Sequence, residues 1–166
     1  MNNPAKTPID PEFPSPEKLR AYGDFVFLAL RSPHHRQMNM TGLEQAFDAP
    51  ISLGQFRIFR FDDIPRGLFT WAYLGPEAEH RLVGGQSLRP QDWRSGEHLW
   101  LIDLIAPYPG LIRGMSRWIM QKGNFAKRDF YFRRVKDGDK TRRILHVDLD
   151  HPTKKARMLS NRDFPG

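Results

Sequence analysis

The most informative apolar pattern in the chain lies between Leu99 and Ile105, where only one position lacks a hydrophobic side chain. Successive side chains of an extended strand point to opposite faces. One face carries Leu99, Leu101 and Ile105, and the other carries Trp100, Ile102 and Leu104. Because both faces are apolar, the pattern predicts a central strand that is covered on each side.

Asp103 is the exception in this strand, and strict alternation places it on the face of Leu99 and Leu101. An unpaired carboxylate there would lose hydration worth on the order of several kcal/mol, so it needs a partner. Two interpretations stay open. In the structural one, Asp103 bonds a backbone amide or a buried arginine. In the functional one, it holds and polarises a catalytic histidine.

The first predicted helix spans residues 16–31, where apolar side chains recur at helical spacing. Ser15 is its expected N-cap and Pro16 its first residue. Ser32 and Pro33 end it, because proline disfavours helix in the residue before it.

Three shorter helical segments follow along the chain. A short helix around residues 42–47 is expected to stop at Pro50, and one or two helical turns are expected over residues 77–82. A further amphipathic helix covers residues 111–119, with Gly123 as its stop signal.

Runs of aromatic and β-branched residues predict two β-hairpins in addition to the central strand. They comprise residues 55–61 and 68–74 around a turn at 62–67, and residues 130–135 and 142–149 around a turn at 136–139.

The predicted order is helix, two strands, short helix, central strand, helix and hairpin. This order indicates an α+β fold with a mostly antiparallel central sheet flanked by helices, and it is close to that of the N-acetyltransferase-like fold. Residues 1–14 carry four prolines and are expected to form a flexible arm. A single domain is expected over residues 15–150, followed by a polar tail over 151–166 without a core signal.

The chain is strongly basic, with 26 Lys and Arg against 19 Asp and Glu and a net charge of +7. An anionic partner is therefore expected, such as nucleic acid, a membrane surface or an acidic carrier protein. Basic clusters flank the second hairpin turn, and they either form a solvated face or dock an anionic group. They comprise Arg133 and Arg134 before the turn and Lys140, Arg142 and Arg143 after it.

Several classes of chemistry are not expected from this composition. The chain has no cysteine, which excludes disulfides and thiol catalysis. Its six histidines show no metal-ligand spacing and its glycines form no phosphate loop, so neither a metal nor a bound cofactor is expected. The start has no signal-peptide core and no apolar run is long enough to span a bilayer, which suggests a cytoplasmic protein.

Two histidines, His34 and His35, directly follow Pro33. A histidine just past a helix is either a surface residue that interacts with the helix dipole or a general base held on a loop by a rigid helix. Since the two residues are adjacent, we expect only one of them to point into a given site.

Two separated motifs give the chain a family resemblance. Residues 32–36 read Ser-Pro-His-His-Arg, and residues 92–107 contain Asp-Trp-Arg-Ser-Gly and then Trp-Leu-Ile-Asp-Leu-Ile-Ala-Pro. The chain resembles the bacterial RTX toxin-activating lysine acyltransferases, whose motifs typically read S-P-x-H-R and D-W-x-S-G followed by W-x-I-D-x-I-A-P. The resemblance covers about residues 20–150 in order. His34 stands where the family usually has an apolar residue.

The resemblance implies an N-acetyltransferase-like fold and a protein-lysine acyltransferase. Such an enzyme moves a fatty acyl group from acyl carrier protein to internal lysine ε-amines of an RTX-type protoxin in the cytoplasm. It also implies His35 and Asp103 as catalytic residues, with Ser32 in the place of the family's serine, and a homodimer. Acyl carrier protein serves as co-substrate, and neither nucleic acid nor a membrane span is expected.

The residue chemistry is compatible with that reaction. A lysine amine with a pKa near 10.4 is mostly protonated at neutral pH, and making it nucleophilic costs about 4 to 5 kcal/mol unless a base takes its proton. His35 is suited to that task, with Asp103 fixing its tautomer. Backbone amides near Ala106 are expected to stabilise the oxyanion. Both direct transfer and a covalent acyl-histidine or acyl-serine intermediate are open.

Two other functions compete with this hypothesis. A basic nucleic-acid-binding module predicts steeply salt-dependent binding that is insensitive to Asp103→Asn. A small-molecule acetyltransferase on the same fold predicts turnover of acetyl-CoA. Neither accounts for the two motifs in register.

Overall fold

In the computed structural model, residues 13–136, 140–153 and 155–165 are described, and within them six strands form one sheet in chain order. Neighbouring strands are antiparallel except for the parallel pair β3 and β4. The strands are β1 (Phe56–Phe61), β2 (Ile64–Leu74), β3 (His98–Ile105), β4 (Asp129–Lys136), β5 (Lys140–Asp148) and β6 (Ala156–Leu159). The predicted mostly antiparallel α+β fold and the central strand are confirmed.

Helices cover both faces of the sheet. The helices are α1 (Pro16–Ala29), α2 (Met40–Leu53), α3 (Pro76–Val83) and α4 (Leu111–Ile119). Side chains of α1, α2 and α3 pack on one face, and α4 packs on the other within the crossover from β3 to β4. None of the helices in the described part of the chain is long and apolar enough to cross a membrane.

Helix α1 begins where the sequence predicts. The Ser15 hydroxyl accepts a hydrogen bond of 3.2 Å from the backbone N–H of Lys18, and Pro16 occupies the first turn. This cap satisfies an amide that the helix itself leaves without an acceptor.

Helix α2 differs from its prediction, because it runs through Pro50 to Leu53 instead of stopping at the proline. Pro50 and its neighbours Ala49 and Ile51 are buried. Burial of this apolar turn compensates for the backbone hydrogen bond that proline removes. The helix ends at Gly54, which adopts the left-handed conformation with φ of 67°.

The first hairpin turn is tighter than predicted. Only Asp62 and Asp63 connect β1 to β2, and both have positive φ, at 48° and 63°. Two left-handed residues match the twist of adjacent antiparallel strands, and aspartate tolerates that conformation better than most residues. Strand β2 therefore starts at Ile64.

The predicted polar tail is wrong in one respect, because residues after 150 contribute to the core. Strand β6 pairs with β5, and Phe164 is 7% exposed. The Phe164 ring packs against Trp100 with centroids 5.4 Å apart. A single aromatic residue gives no periodic signal, so the sequence pattern could not reveal it. The predicted arm falls almost wholly outside the described residues, as does the turn at 137–139.

Candidate active site

Strand β3 contains an irregularity immediately before Asp103. Thr70 of β2 pairs with Asp103, but the next residue, Trp71, pairs with Leu101. Ile102 is therefore an extra residue in β3, which defines a β-bulge. Beyond a bulge, the alternation of side chains between the two faces is shifted by one position.

For this reason the prediction that Asp103 shares a face with Leu99 and Leu101 is wrong, whereas the prediction that it shares a face with Ile105 is confirmed. Leu99, Leu101 and Leu104 pack in the cluster on the α4 face, whereas Ile105 packs against α1 and α2. Asp103, two residues before Ile105, thus points toward α1 and α2. That face of the sheet also carries the loop after α1.

His35 lies in the loop that connects helices α1 and α2. It begins a short 3₁₀ turn, His35–Gln37, and its carbonyl accepts a hydrogen bond of 3.0 Å from the Met38 amide. The residue is only 3% exposed, and its ring stacks on Phe47 with centroids 6.1 Å apart. His35 is therefore not a surface residue beside the end of helix α1. It is buried and held in place by the elements around it.

Ser32, His35 and Asp103 form a continuous hydrogen-bonded chain. The Ser32 hydroxyl lies 2.7 Å from Nδ1 of His35, and Nε2 of His35 lies 2.6 Å from Oδ2 of Asp103. With an ionised carboxylate, Nε2 donates to Asp103 and Nδ1 of the neutral ring accepts from the Ser32 hydroxyl; with a protonated carboxyl group, Asp103 donates to Nε2 and Nδ1–H donates to Ser32. If the ring gains a proton, Ser32 can turn from donor to acceptor. The three hydrogen-bonded side chains can therefore accommodate both the neutral imidazole and the protonated imidazolium.

Asp103 is the most accessible of the three hydrogen-bonded residues. Its side chain is 25% exposed, whereas that of His35 is 4% exposed and Ser32 is buried. Oδ1 of Asp103 accepts a hydrogen bond of 2.8 Å from the Leu104 amide. The two interpretations of Asp103 are thus not exclusive, since one carboxylate oxygen bonds the backbone and the other bonds the histidine.

Asp103 lines a large groove that opens where β3 and β4 separate. The parallel strands pair only at Trp100 with Tyr131 and at Leu101 with Phe132. Beyond these pairs, Ile102 to Leu104 and Arg133 to Val135 line a groove of about 850 Å³. Most other lining side chains are apolar and come from both faces of the sheet; they include Leu88, Trp93, Ile112, Ile119, Phe130 and Met120. An apolar chain fits this lining.

His34 also lines the groove, although His35 does not. The two imidazole rings lie edge to face with centroids 5.0 Å apart. Adjacency in the chain predicts that only one of the pair points into a given site, and the structure separates them in this way. His35 joins the buried hydrogen-bonded chain, and His34 faces the groove.

The motif Asp92-Trp93-Arg94-Ser95-Gly96 fixes the approach to β3. The Ser95 hydroxyl donates to the Asp92 carbonyl at 2.7 Å and accepts from the Gly75 amide at 3.0 Å. A Cβ on Gly96 would lie 2.5 Å from the backbone of Gly75. Glycine is therefore required here by close contact between two backbone segments.

Polar groups of the same motif are also bonded to the framework. Asp92 is 2% exposed and accepts hydrogen bonds from the side chain and backbone N–H of Arg89. Burial acts to raise the pKa of Asp92, but the Arg89 bonds and the charges of Arg89 and Arg81 hold that pKa below its usual value. Arg94 donates to Gln55 at 2.6 Å and to the Leu53 carbonyl at 2.8 Å. This motif supports the site and does not enter the hydrogen-bonded chain.

The fold and the site define a class: an acetyltransferase-like α+β domain with a buried histidine–aspartate pair beside an apolar groove. The model of the RTX toxin acyltransferase family matches residues 15–148. The chain belongs to that family.

Individual relatives are similar over part of their length. Protein-lysine palmitoyltransferase CyaC of Bordetella bronchiseptica is 36% identical over 93 residues, which are 55% of this chain and 50% of that protein. Leukotoxin-activating lysine-acyltransferase LktC of a Pasteurella haemolytica-like species is 31% identical over 87 residues, 52% of this chain and 53% of that protein. The chain thus spans about half the length of these relatives.

A longer match involves the RTX-III toxin-activating lysine-acyltransferase of Actinobacillus pleuropneumoniae. It is 31% identical over 126 residues, which are 75% of this chain and 71% of that protein.

Proposed function

We propose that this protein is a lysine acyltransferase that moves a fatty acyl group from acyl carrier protein to lysine ε-amines of an RTX-type protoxin and thereby activates it. The observation that carries the proposal is the 2.6 Å contact between His35 and Asp103 at the side of an apolar groove. Membership of the RTX toxin acyltransferase family supports it, as do relatives named as lysine acyltransferases.

In this proposal the target lysine enters the groove beside Asp103, the exposed member of the pair. Its ammonium group pairs with the carboxylate and gives it a proton. That proton moves from Asp103 to Nε2 of His35 in the tautomer whose Nδ1–H is donated to the Ser32 hydroxyl. The resulting imidazolium is stabilised by Asp103 on one nitrogen and Ser32 on the other. His35 is thus the base, as the sequence suggested, and Asp103 both orients it and receives the amine.

The bonds change in one direct transfer. The free amine attacks the thioester carbonyl, a C–N bond forms, the C–S bond breaks, and the carrier thiolate leaves and takes up a proton. Backbone amides near Ala106 are the proposed donors to the oxyanion. The apolar lining of the groove accommodates the acyl chain and excludes water that would hydrolyse the thioester.

Direct transfer is favoured over an acyl-serine intermediate by the position of Ser32. Its hydroxyl is buried and bonded to His35, and Ser32 does not line the groove. A nucleophile must reach the thioester carbon, and the Ser32 hydroxyl does not face the groove in which the thioester would bind. Asp103 does face the groove, where it can contact the lysine.

The test is intact-mass analysis of an RTX-type polypeptide incubated with palmitoyl-acyl carrier protein and this protein. We expect one acyl mass increment per modified lysine, no increment with His35→Ala, and a loss of less than tenfold with His34→Ala. His146→Ala is the matched control, because His146 bonds Asp129 at 2.8 Å and does not line the groove. Unmodified polypeptide with the wild-type protein would overturn the proposal.

Donor comparison tests the second part of the proposal. Acyl-CoA is expected to be a much poorer donor than acyl carrier protein, because the sequence has no glycine-rich loop for the CoA pyrophosphate and its net charge of +7 suits an acidic carrier. Equal rates would contradict the carrier assignment, and turnover of acetyl-CoA alone would favour the small-molecule alternative.

Two further expectations from the resemblance belong to the proposal. We place the reaction in the cytoplasm, where the acyl carrier protein is found, and we propose a homodimer. Fractionation of cells and light scattering of the purified protein test them separately from the chemistry.

A further inference from the structure

Two arginines stand directly opposite each other on the hairpin of β4 and β5. Arg134 and Arg143 are register partners in this antiparallel pair. Side chains of such partners lie on the same face and approach closely, so like charges there destabilise the sheet. Both residues are exposed. An arrangement that concentrates positive charge at some cost in stability suits a site that binds an anion.

These arginines adjoin the large groove. A second cavity of about 340 Å³ is lined by Arg134, Val135, Arg142 and Arg143. Arg134 and Val135 line the large groove as well, so the two spaces share a wall. Arg142 is the extra residue of a β-bulge between the pairs Arg134–Arg143 and Val135–Thr141. The bulge brings a third guanidinium to the same cavity.

The position of the arginines relative to Asp103 matches an elongated ligand. Arg143 lies on β5, two strands from Asp103 on β3, which separates them by at least about 10 Å. Arg134 alternates with Phe132, which packs on the α4 face, whereas Asp103 points to the other face. An anion on the arginines and an amine at Asp103 would therefore approach the groove from opposite faces of the sheet.

We propose that Arg134, Arg143 and Arg142 bind the phosphate of the prosthetic arm that carries the acyl thioester. This inference rests on the proposed function and assigns the binding site of its donor. A thioester with a phosphodiester at the far end of its arm has the required separation of reactive carbon and charge. Guanidinium groups bind phosphate oxygens through paired hydrogen bonds, which lysine cannot match.

The experiment compares a donor that has both the phosphate and the carrier protein with a donor that lacks both. Acylation is measured with palmitoyl-acyl carrier protein and with palmitoyl-N-acetylcysteamine, a thioester that lacks phosphate. With Arg134→Gln or Arg143→Gln, KM for the carrier-bound donor is expected to rise roughly tenfold, with kcat changed less than about twofold. The rate with the phosphate-free thioester should not change. Arg20→Gln on α1 removes the same charge away from the groove and should leave both reactions unchanged.

Binding provides a readout that does not need turnover. Calorimetry with the carrier protein in its phosphopantetheine-bearing and bare forms should show tighter binding of the former, and Arg134→Gln should weaken only that form, roughly tenfold. If both forms lose affinity equally, the arginines contact the acidic surface of the carrier and the inference is overturned. An equal loss with the phosphate-free thioester also overturns it. Absence of acylation by the wild-type protein, with phosphate-dependent binding retained, refutes the proposed function alone.

Discussion

Asp103 lies 2.6 Å from His35 although the two are 68 positions apart in the chain. The contact depends on two local features, the 3₁₀ turn that follows α1 and the bulge that makes Ile102 an extra residue of β3. Without the bulge, Asp103 would point to the α4 face. The site is therefore assembled from a motif on a loop and a break in the regularity of a strand.

The carboxylate charge of Asp103 is expected to be indispensable for acyl transfer. Asp103→Asn keeps the shape but removes the negative charge that stabilises the imidazolium and replaces one acceptor oxygen by an N–H donor, and kcat should fall about 10³- to 10⁴-fold. Rates of lysine acylation by intact mass test this, with circular dichroism to check folding. Asp129→Asn is the matched control, because it alters another histidine–aspartate pair away from the groove. Equal effects of the two variants would show that Asp103 has only a structural role.

Ser32→Ala separates direct transfer from an acyl-serine route. In direct transfer Ser32 only orients His35 through its 2.7 Å bond, so kcat should fall roughly tenfold. Incubation with donor alone should leave the wild-type mass unchanged. A trapped acyl-enzyme that disappears in Ser32→Ala, together with complete loss of activity, would establish the covalent route instead.

Gly96→Ala should destabilise the protein by about 3 kcal/mol, since the new Cβ would lie 2.5 Å from the Gly75 backbone and from the Leu74 carbonyl. Denaturant unfolding measures the change. Gly23→Ala on α1 is the control, because a Cβ there meets nothing within 4 Å and alanine favours helix by up to about 1 kcal/mol. Equal free energies of unfolding for Gly96→Ala and Gly23→Ala would contradict the close backbone contact at Gly96.

The stability of the fold should decrease in acid partly through Asp92. Burial acts to raise its pKa, but the Arg89 bonds together with the charges of Arg89 and Arg81 hold the pKa in the folded protein below the ordinary value of 3.8. Such a group contributes stability above the unfolded pKa and loses it as the pH falls through the folded pKa. Asp92→Asn should therefore be less stable than wild type at neutral pH. The difference should narrow below about pH 4 in denaturant titrations. A constant difference across this range would argue against the ion pair.

Phe164→Ala should cost about 3 kcal/mol of unfolding free energy, because the ring fills a buried position against Trp100. Thermal and denaturant unfolding test this expectation. Phe13→Ala removes a ring that is 80% exposed and should change stability by less than about 0.5 kcal/mol. If the two substitutions have equal effects, the segment after residue 150 does not contribute to the core.

Much of the fold follows from local patterns in the sequence. Helix α1, strand β3 and the two hairpins were predictable because caps, turn residues and apolar periodicity act over a few neighbouring residues. Helix α2 was truncated in the prediction because local propensity gives Pro50 as a stop, whereas burial of that turn extends the helix. The role of Phe164 was missed because its partner, Trp100, is distant in the chain.

The candidate site was predictable in its residues but not in its geometry. Ser32, His35 and Asp103 were identified from their motifs, and Asp103 also from the unfavourable free energy of burying a carboxylate in an apolar strand. Sequence alternation nevertheless grouped Asp103 with Leu99 and Leu101, which lie on the opposite face, because the bulge that separates them is set by pairing with another strand. The groove was also invisible, since it arises where β3 and β4 stop pairing.

The sequence by itself determined the elements, the basic charge, the family motifs and the three residues of the hydrogen-bonded chain. Tertiary structure alone decided which histidine is buried, which face Asp103 occupies, and that the arginines of the β4–β5 hairpin adjoin the groove. The physical reason is the separation along the sequence between the residues that interact. Capping and periodicity depend on residues a few positions apart, whereas register, burial and strand separation depend on partners brought together only by folding.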